Sequence, residues 1–538
     1  MNTNGFKEKT IELIDSLKGI CSANGLGGDG NEYKIITQSF LYKFLNDKFF
    51  FEIKKNKSSL KTKNIEKEIY DLSLKEYEMI LKLLHPSSAR LKKKHFLSYL
   101  YNNQNNKNFS DLFDETLRDI AIYNRDIFSV KSGTEKIILF DELSKYIPNP
   151  SKRDNFCKAI INKLINFNFE NIFDQGFDFF STIFEYLIKD YNKDSGGKYA
   201  EYFTPYSISK VIASVLVDKD IKNVTCFDPS AGSGTLLMNI AHKIGVDKCS
   251  IYSQDISLKS SNLLRLNLIL NNLVHSIQNV VQGNTLLDPY HKDSKNLMEF
   301  DFIVSNPPFK LDFSDYRNDL DTKENTERFF AGIPNIPKKA VDRMPIYLLF
   351  IQHILFTLSK KGRAAIVVPT GFITAQTGIP FKIRKSLIDN KILKGLVAMP
   401  PDIFATTGAH VSIIFLDKST SMQDTMLIDA SNLGGQVKEG NIQKTLLSKK
   451  DENLIINTFN NKKSIEDFSV IVNFDKIKEK SYSLNPGLYF ENKIIFEEIT
   501  KAKFKEKINI NQSKLKELFE ESKEAEKDFF SIIKKLKL

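Results

Sequence analysis

Phe302-Ile303-Val304-Ser305-Asn306-Pro307-Pro308-Phe309 is an apolar run, preceded by Asp301, that stops on two prolines. The pattern predicts a short buried strand ending at the edge of a sheet. Successive prolines fix φ and remove backbone donors, so the carbonyls of Ser305, Asn306 and Pro307 cannot enter a continuing ladder and stay available as acceptors. The Asn306 amide oxygen adds another acceptor, and Phe309 offers a flat π face just beyond. Such a set suits a planar group bearing an NH2: acceptors take its two hydrogens while its ring stacks. An adenine has that shape. On these four residues alone a plain strand-terminating turn is the commoner use of the sequence, so the flanking chain decides.

Short apolar runs recur on both sides of it, at Val224 to Phe227, Ile251 to Ser253, Val280-Val281, Phe302 to Val304, Ala364 to Val368, Leu396 to Met399 and Val411 to Leu416. Helix-like stretches lie between them, such as Leu236 to Ile244, Leu258 to Leu270 and Ile346 to Ser359. This alternation predicts an α/β, doubly wound and mostly parallel sheet, with ligands at the carboxyl ends of its strands near the topological switch.

Phe227-Asp228-Pro229-Ser230-Ala231-Gly232-Ser233-Gly234-Thr235-Leu236 follows the first strand and opens the first helix. Gly232 and Gly234 permit a sharp turn and close approach of a ligand. The helix start reads as serine/threonine-capped, and no lysine follows, so a neutral or zwitterionic ligand fits better than a phosphate. Asp228, a strand-end carboxylate, can hold a ligand ammonium group. The second strand ends at Asp255, 21 residues after Gly234, near the roughly 20-residue spacing of a ribose-binding acid. Asn284 ends the third strand, placed to meet an adenine rim. Upstream, Tyr199-Ala200-Glu201-Tyr202-Phe203-Thr204-Pro205 runs into an apolar helix, with Thr204 read as its cap and Pro205 in its first turn.

In chain order, Tyr202-Phe203-Thr204-Pro205, Asp228 to Gly234, Asp255, Asn284 and Asn306 to Phe309 resemble an S-adenosylmethionine-dependent N6-adenine DNA methyltransferase of the gamma arrangement. More narrowly, they resemble the modification (M) subunit of a type I restriction-modification system. The likeness continues through Val368-Pro369-Thr370-Gly371-Phe372, Met399-Pro400-Pro401-Asp402-Ile403-Phe404, Thr407-Gly408 and Asn485-Pro486-Gly487. It implies a Rossmann-like seven-strand methyltransferase sheet over 172–480, a helical N-terminal domain over 1–171 for assembly and clamping DNA, and a C-terminal helical segment over 481–538 for partner docking. It implies catalysis by Asn306, Pro307, Pro308 and Phe309 on a flipped adenine, with Phe404 as a second stacking face or a core residue. S-adenosylmethionine would be bound by Glu201, Tyr202, Phe203, Thr204, Pro205, Asp228, Ser230, Ala231, Gly232, Ser233, Gly234, Thr235, Asp255 and Asn284, with no metal. Asn284 departs from the family, which usually has Asp there. The implied partners are double-stranded DNA, a specificity (S) subunit, a second copy of the chain and, for cleavage, a restriction (R) subunit.

The 538 residues predict two or three domains. A net charge of +11 fits an acidic partner such as nucleic acid, although a lysine-rich solvated surface gives the same balance. Cys21, Cys157, Cys226 and Cys249 lack the spacing of a disulfide framework or zinc site, and read as reduced and cytoplasmic. None lies near Asn306, as a covalent cysteine nucleophile would. No signal peptide, membrane span or phosphate-loop motif is expected. Lys7 to about Asn171 has helix-like spacing broken at Asn24 to Gly30 and at Pro148 to Ser151, and Ile508 to Leu538 resumes it. Phe177 to Tyr191 also reads as a helix, whereas the chain from Ile465 has a looser pattern. Lys310 to Met344 is long, polar and aperiodic, expected to order over DNA or a partner. Two rival functions remain: methyl transfer to a protein glutamine amide, and a non-catalytic cofactor-binding assembly module.

Overall fold

The computed structural model describes residues 3–28, 30–56, 65–170, 173, 183, 186, 204–218, 220–404, 410–419, 422–439, 442–490 and 500–535. The helix read over Phe177 to Tyr191, the residues Glu201, Tyr202 and Phe203, and Thr407-Gly408 lie outside the described residues, apart from Ile183 and Tyr186. The chain forms two compact units, residues 1–490 and 491–538.

The first unit begins with helices, among them Thr3–Ala23, Gly30–Asn56, Phe109–Tyr123 and Pro150–Ile165. Gly25 and Gly28 adopt positive φ and make the break between the first two. The break read at Pro148 to Ser151 is a helix start: Asn149 Oδ1 accepts from Ser151 N–H at 3.0 Å, with Pro150 as the first helical residue. Gly30–Asn56 is buried nearly all round, so it serves as the axis of this region. Phe40 and Phe44 meet Phe169 edge-on, at 5.1 and 5.6 Å between centroids.

Fifteen strands are present among the described residues. In chain order they are β1 Val130–Ser132, β2 Glu135–Ile137, β3 Val224–Asp228, β4 Cys249–Asp255, β5 Val280–Gln282, β6 Lys292–Asp293 and β7 Asn296–Leu297. Next come β8 Phe300–Ser305, β9 Leu358–Pro369, β10 Leu393–Ala398, β11 Val411–Asp417 and β12 Asp424–Asp429. The last are β13 Gly435–Glu439, β14 Ile442–Leu446 and β15 Ser469–Asn473. Eleven of these build one sheet in the order β15-β12-β10-β11-β9-β8-β3-β4-β5-β1-β2. The expected count of seven is thus corrected to eleven. The seven runs read from the sequence are its consecutive middle, β10 to β5; the four additions lie at the two margins.

Those additions have physical reasons. Val130 to Ile137 alternates around the tight Gly133 turn, so β1 and β2 form a hairpin whose β1 pairs in parallel with β5. It lies inside a region whose composition favours helix. Arg265, on the helix Leu258–Leu270, fastens it: its buried guanidinium donates to the carbonyls of Ile137 and Ile138 at 3.1 and 2.9 Å. Ser132 Oγ reaches Gln282 Oε1 at 2.6 Å. At the other margin β12 runs parallel to β10 and β15 antiparallel to β12.

Strands β5, β4, β3, β8, β9, β10 and β12 run in one direction, and β11 is antiparallel between β9 and β10. The chain winds from β3 out to β5, then returns to β8 on the other side of β3. The switch point is therefore the β3/β8 boundary, where Asp228 and Ser305 end their strands. Both sheet faces are covered: every residue of β11 is buried, the apolar run expected of a strand packed on two sides.

Lys310 to Met344 is folded. Short turns carry Phe313, Leu320, Phe329 and Met344 into a separate small core with Leu286, Leu349 and Phe350. Spaced irregularly, these anchors show no period, which is why the segment reads as a loop.

The second unit contains the helix Lys501–Lys535, whose Phe504, Ile508, Leu515, Leu518, Phe519, Phe529 and Phe530 are all exposed.

Candidate active site

Asp228 ends β3 with only 1% of its surface exposed, and its Oδ1 accepts from Ser230 N–H at 2.9 Å. Burial raises its carboxyl to about 7, and the neighbouring Asp255 adds to the rise. A buried acid so destabilised as an anion is matched by an incoming cation. Ser230 Oγ and Ser305 Oγ are 2.7 Å apart, which ties the β3 loop to the end of β8.

The glycine turn is set by packing. Gly232 and Gly234 have φ of 53° and 80°, and a Cβ on Gly234 would stand 2.1 Å from Leu264 Cδ1. Gly234 itself is the N-cap of the helix Thr235–Ile244, with no side-chain cap. The expected serine/threonine cap is replaced because the Ser233 and Thr235 hydroxyls face each other at 3.0 Å.

Asp255 ends β4 beside this turn. Its Oδ2 accepts from Gly232 N–H at 2.9 Å and its Oδ1 from Ser257 N–H at 2.8 Å. Desolvation raises this carboxyl also. The Ser260 hydroxyl also bonds this carboxylate, which leaves one acceptor position for a further hydroxyl donor. Ile256 next to it and Leu287 beyond β5 are exposed apolar side chains flanking the same strand ends. Sequence reading passed over both; an apolar residue directly after a strand-end acid was the available signal.

Asn284 follows β5 by two residues. Its Oδ1 accepts from the N–H groups of Leu286 and Leu287 at 3.0 and 3.2 Å, so its oxygen caps its own turn. Its side chain also hydrogen-bonds Tyr316, from the segment after the proline pair. Thr285 Oγ1 donates to the Pro229 carbonyl at 2.7 Å. Arg328, 4% exposed, donates to the carbonyls of Thr285 at 2.9 Å and Leu286 at 2.8 Å, and to His353 Nδ1 at 3.0 Å. Arg328 thereby joins the 310–344 segment to the β5 loop. No local motif marks a buried arginine, so this one is illegible from sequence.

Asn306 lies beyond β8, 7% exposed, and its Nδ2 donates to Thr204 Oγ1 at 3.2 Å. Thr204 does not cap the following helix: Tyr206–Leu216 starts after Pro205 without a side-chain cap, and the hydroxyl serves Asn306 instead. Pro307 is buried while Pro308 and Phe309 are half-buried. Phe309 meets Tyr347 edge-on at 6.3 Å, and Tyr347 meets Phe372 likewise. Phe404 is buried in the main core, which favours its packing role.

Asp228, Ser230, Ser233, Thr235, Thr204 and Asn306 line one recess. Of the sequence-read residues, Ala231 also lines it, Asp255 and Asn284 lie along the adjoining strand ends, and Pro205 precedes the wall helix. Among the described residues no group of three or more histidine, cysteine or acidic side chains could hold a metal, and no helix is long and apolar enough to cross a membrane. All four cysteines are free and buried.

Residues 175–498 match the model of the N-6 DNA methylase family. The chain is 28% identical over 523 residues to the type I restriction enzyme MpnII methylase subunit of Mycoplasma pneumoniae, covering 92% of this chain and 91% of the relative. It is 25% identical over 501 residues to the MjaVIII methylase subunit of Methanocaldococcus jannaschii, covering 91% and 80%. Its fold is similar to the crystal structure of a type I restriction-modification methyltransferase subunit from Streptococcus thermophilus, with a TM-score of 0.69 at 18% identity over 91% of this chain and all of that one.

Proposed function

The chain belongs to the N-6 DNA methylase family, and from that premise we propose that it moves a methyl group onto the exocyclic N6 of an adenine turned out of double-stranded DNA. The observation that carries this reading is the shared recess of Asp228 and Asn306 at the sheet's switch point. One side fits a cationic donor and the other an amine acceptor.

The donor set fits S-adenosylmethionine. Asp228 would hold its ammonium group, the turn through Gly232 and Gly234 would let it approach the backbone, and Asp255 would accept from its ribose hydroxyls. Ile256 and Leu287 offer apolar surface to its purine beside Asn284. Glu201, Tyr202, Phe203 and Pro205 remain proposed wall residues. When bound, the cofactor supplies an electrophilic methyl on sulfur.

The target amine is a weak nucleophile while its lone pair is conjugated with the ring. Asn306 Oδ1 and the Pro307 carbonyl accept from its two N–H bonds and draw the nitrogen toward tetrahedral geometry. Thr204, by engaging Nδ2, orients Oδ1 toward that role. The chain's task is otherwise placement, which well-oriented reactants reward by many orders of magnitude in rate. Turning the base out costs a few kcal/mol; stacking on Phe309, worth about 1–3 kcal/mol per base, offsets part of it.

Transfer to a protein glutamine amide is the disfavoured reading, because the matched family and relatives are DNA methylases. A purely structural module would not require the buried Asp228 carboxylate. As a modification subunit the chain would assemble in the cytoplasm with a specificity subunit, a second copy of itself and, for cleavage, a restriction subunit. Residues 1–171 would serve assembly and DNA clamping, 172–480 catalysis and 481–538 docking; the exposed apolar residues of Lys501–Lys535 support the last.

The test is transfer of a labelled methyl group to adenine in duplex DNA by the assembled enzyme. Asn306→Ala acting as fast as the unaltered protein would refute this reading.

A further inference from the structure

Strand β1 comes from the amino-terminal region, yet it reaches the ligand-facing level of the sheet. Asp255 on β4 is in register with Gln282 on β5, and Gln282 with Ser132 on β1. The three strands run parallel, so three residues from distant parts of the sequence share one level and one face at the carboxyl ends. Two strand spacings of about 4.8 Å put Ser132 roughly 10 Å from Asp255. The hairpin is itself anchored. Besides the Arg265 clamp, Gln278 Nε2 donates to the Asp126 carbonyl at 2.9 Å, and Lys131 Nζ sits 5.1 Å from the centre of the Tyr290 ring.

A directed chain of hydrogen bonds runs from this hairpin to the end of β4. Ser132 Oγ donates to Gln282 Oε1 at 2.6 Å, and Gln282 Nε2 donates to the Ile256 carbonyl at 2.8 Å. Gly283 N–H donates to the Asp255 carbonyl at 2.8 Å. Both carbonyls of the 255–256 turn are therefore held from β5, one by backbone and one by a side-chain amide. An amide can turn over, and a turned Gln282 would set its oxygen against the Ile256 carbonyl. Among the described residues the donor to that oxygen is Ser132, which fixes the end that faces Ile256. Ile256 is 61% exposed, and the bond to its carbonyl lies at the surface. In water such a bond contributes little, because solvent offers the same partners. Under a bound purine that exchange is lost, and the orientation of the amide then matters.

We propose that Ser132 is a positioning residue for S-adenosylmethionine, acting through Gln282 to hold the Asp255–Ile256 turn against the donor's ribose and purine. This rests on the methyltransferase reading and deepens it: the amino-terminal region, there given assembly and DNA clamping, also completes the donor site.

The experiment measures methyl transfer to duplex DNA by the assembled enzyme and, separately, S-adenosylmethionine binding by titration. Ser132→Ala should raise KM for S-adenosylmethionine about 3- to 10-fold, the range for one neutral hydrogen bond. kcat at saturating donor, KM for DNA and the melting temperature of the ligand-free protein should hold. Ser132→Thr keeps the hydroxyl donor and should restore the unaltered KM. Gln282→Leu should match the loss, and adding Ser132→Ala to it should bring nothing further, the non-additive signature of residues acting in one chain. In an enzyme that still methylates adenine, three results each overturn the positioning role: an unchanged KM in Ser132→Ala, a loss that Ser132→Thr shares, or separate losses that sum in the double variant. Weakened donor binding in Ser132→Ala, by a protein that labels no adenine even when unaltered, upholds this inference and refutes methyl transfer to DNA. An unaltered protein that binds no S-adenosylmethionine overturns both.

Discussion

Asn306 Nδ2 donates to Thr204 Oγ1 at 3.2 Å across 102 residues of sequence. The bond occupies the NH2 end of the amide within the protein and leaves its oxygen for the proposed role as acceptor. Thr204→Val removes the acceptor while keeping the shape. It should cost about 0.5–1.5 kcal/mol of stability and lower kcat about 10-fold by freeing the amide to rotate, with donor affinity unchanged. Asn306→Ala should lower kcat by about 100-fold or more, the range for losing one polar group aimed at a reacting centre. Single-turnover methylation and donor titration separate the two effects.

Asp228 gives a pH signature. Its folded carboxyl is raised to about 7 from an ordinary 3.8, so between these values the folded protein holds a proton that the unfolded chain has released. Stability from this group falls as pH rises through that window and is level above it. Asp228→Asn should therefore melt at a higher temperature than the unaltered protein at pH 8, with the gap shrinking toward pH 4. Donor affinity should rise with pH up to about 7 in the unaltered protein and drop about 10- to 100-fold in the variant, the worth of a charged hydrogen bond. Calorimetry with and without S-adenosylmethionine reads both.

Arg328→Met strands the carbonyls of Thr285 and Leu286 and the Nδ1 of His353 in a buried setting. At about 1–3 kcal/mol for each unpaired group, a loss of about 3 kcal/mol or more is expected. Because those carbonyls belong to the loop carrying Asn284, donor affinity should weaken as well. The 310–344 segment, packed around Phe329, should become the first site of proteolytic cleavage. Melting temperature, donor titration and mass-mapped digestion form the check.

Gly234→Ala brings a Cβ to 2.1 Å from Leu264 Cδ1 at a φ of 80°. Overpacking of this kind costs about 1–3 kcal/mol and the left-handed backbone about 1–2 kcal/mol more. Adding Leu264→Ala relieves the clash and leaves the backbone cost. The double variant should recover donor binding only in part, as measured by titration at 25 °C.

Much of the sheet was readable because its central strands are continuous apolar runs, each closed by a polar residue with a use: Asp228, Asp255 and Asn306. The marginal strands were not. Asp424 to Asp429 and Ser469 to Asn473 are short and flanked by polar residues, and Val130 to Ile137 sits among helices. Within the site, the acids and the proline pair announce themselves by position after a strand. Arg328, Ile256 and the Thr204 bond to Asn306 do not, because their meaning arises only when distant segments meet. The helix caps misled for a related reason: a hydroxyl that looks like a local cap had a better partner elsewhere.

The β1–β2 hairpin, clamped by Arg265 and paired to β5, continues the sheet margin beside Asn284 into the amino-terminal helices. A displacement of those helices is therefore passed along hydrogen-bonded backbone to the strand tip beside Asn284. The helical region and this margin of the sheet then share one frame, and slack in either loosens the other.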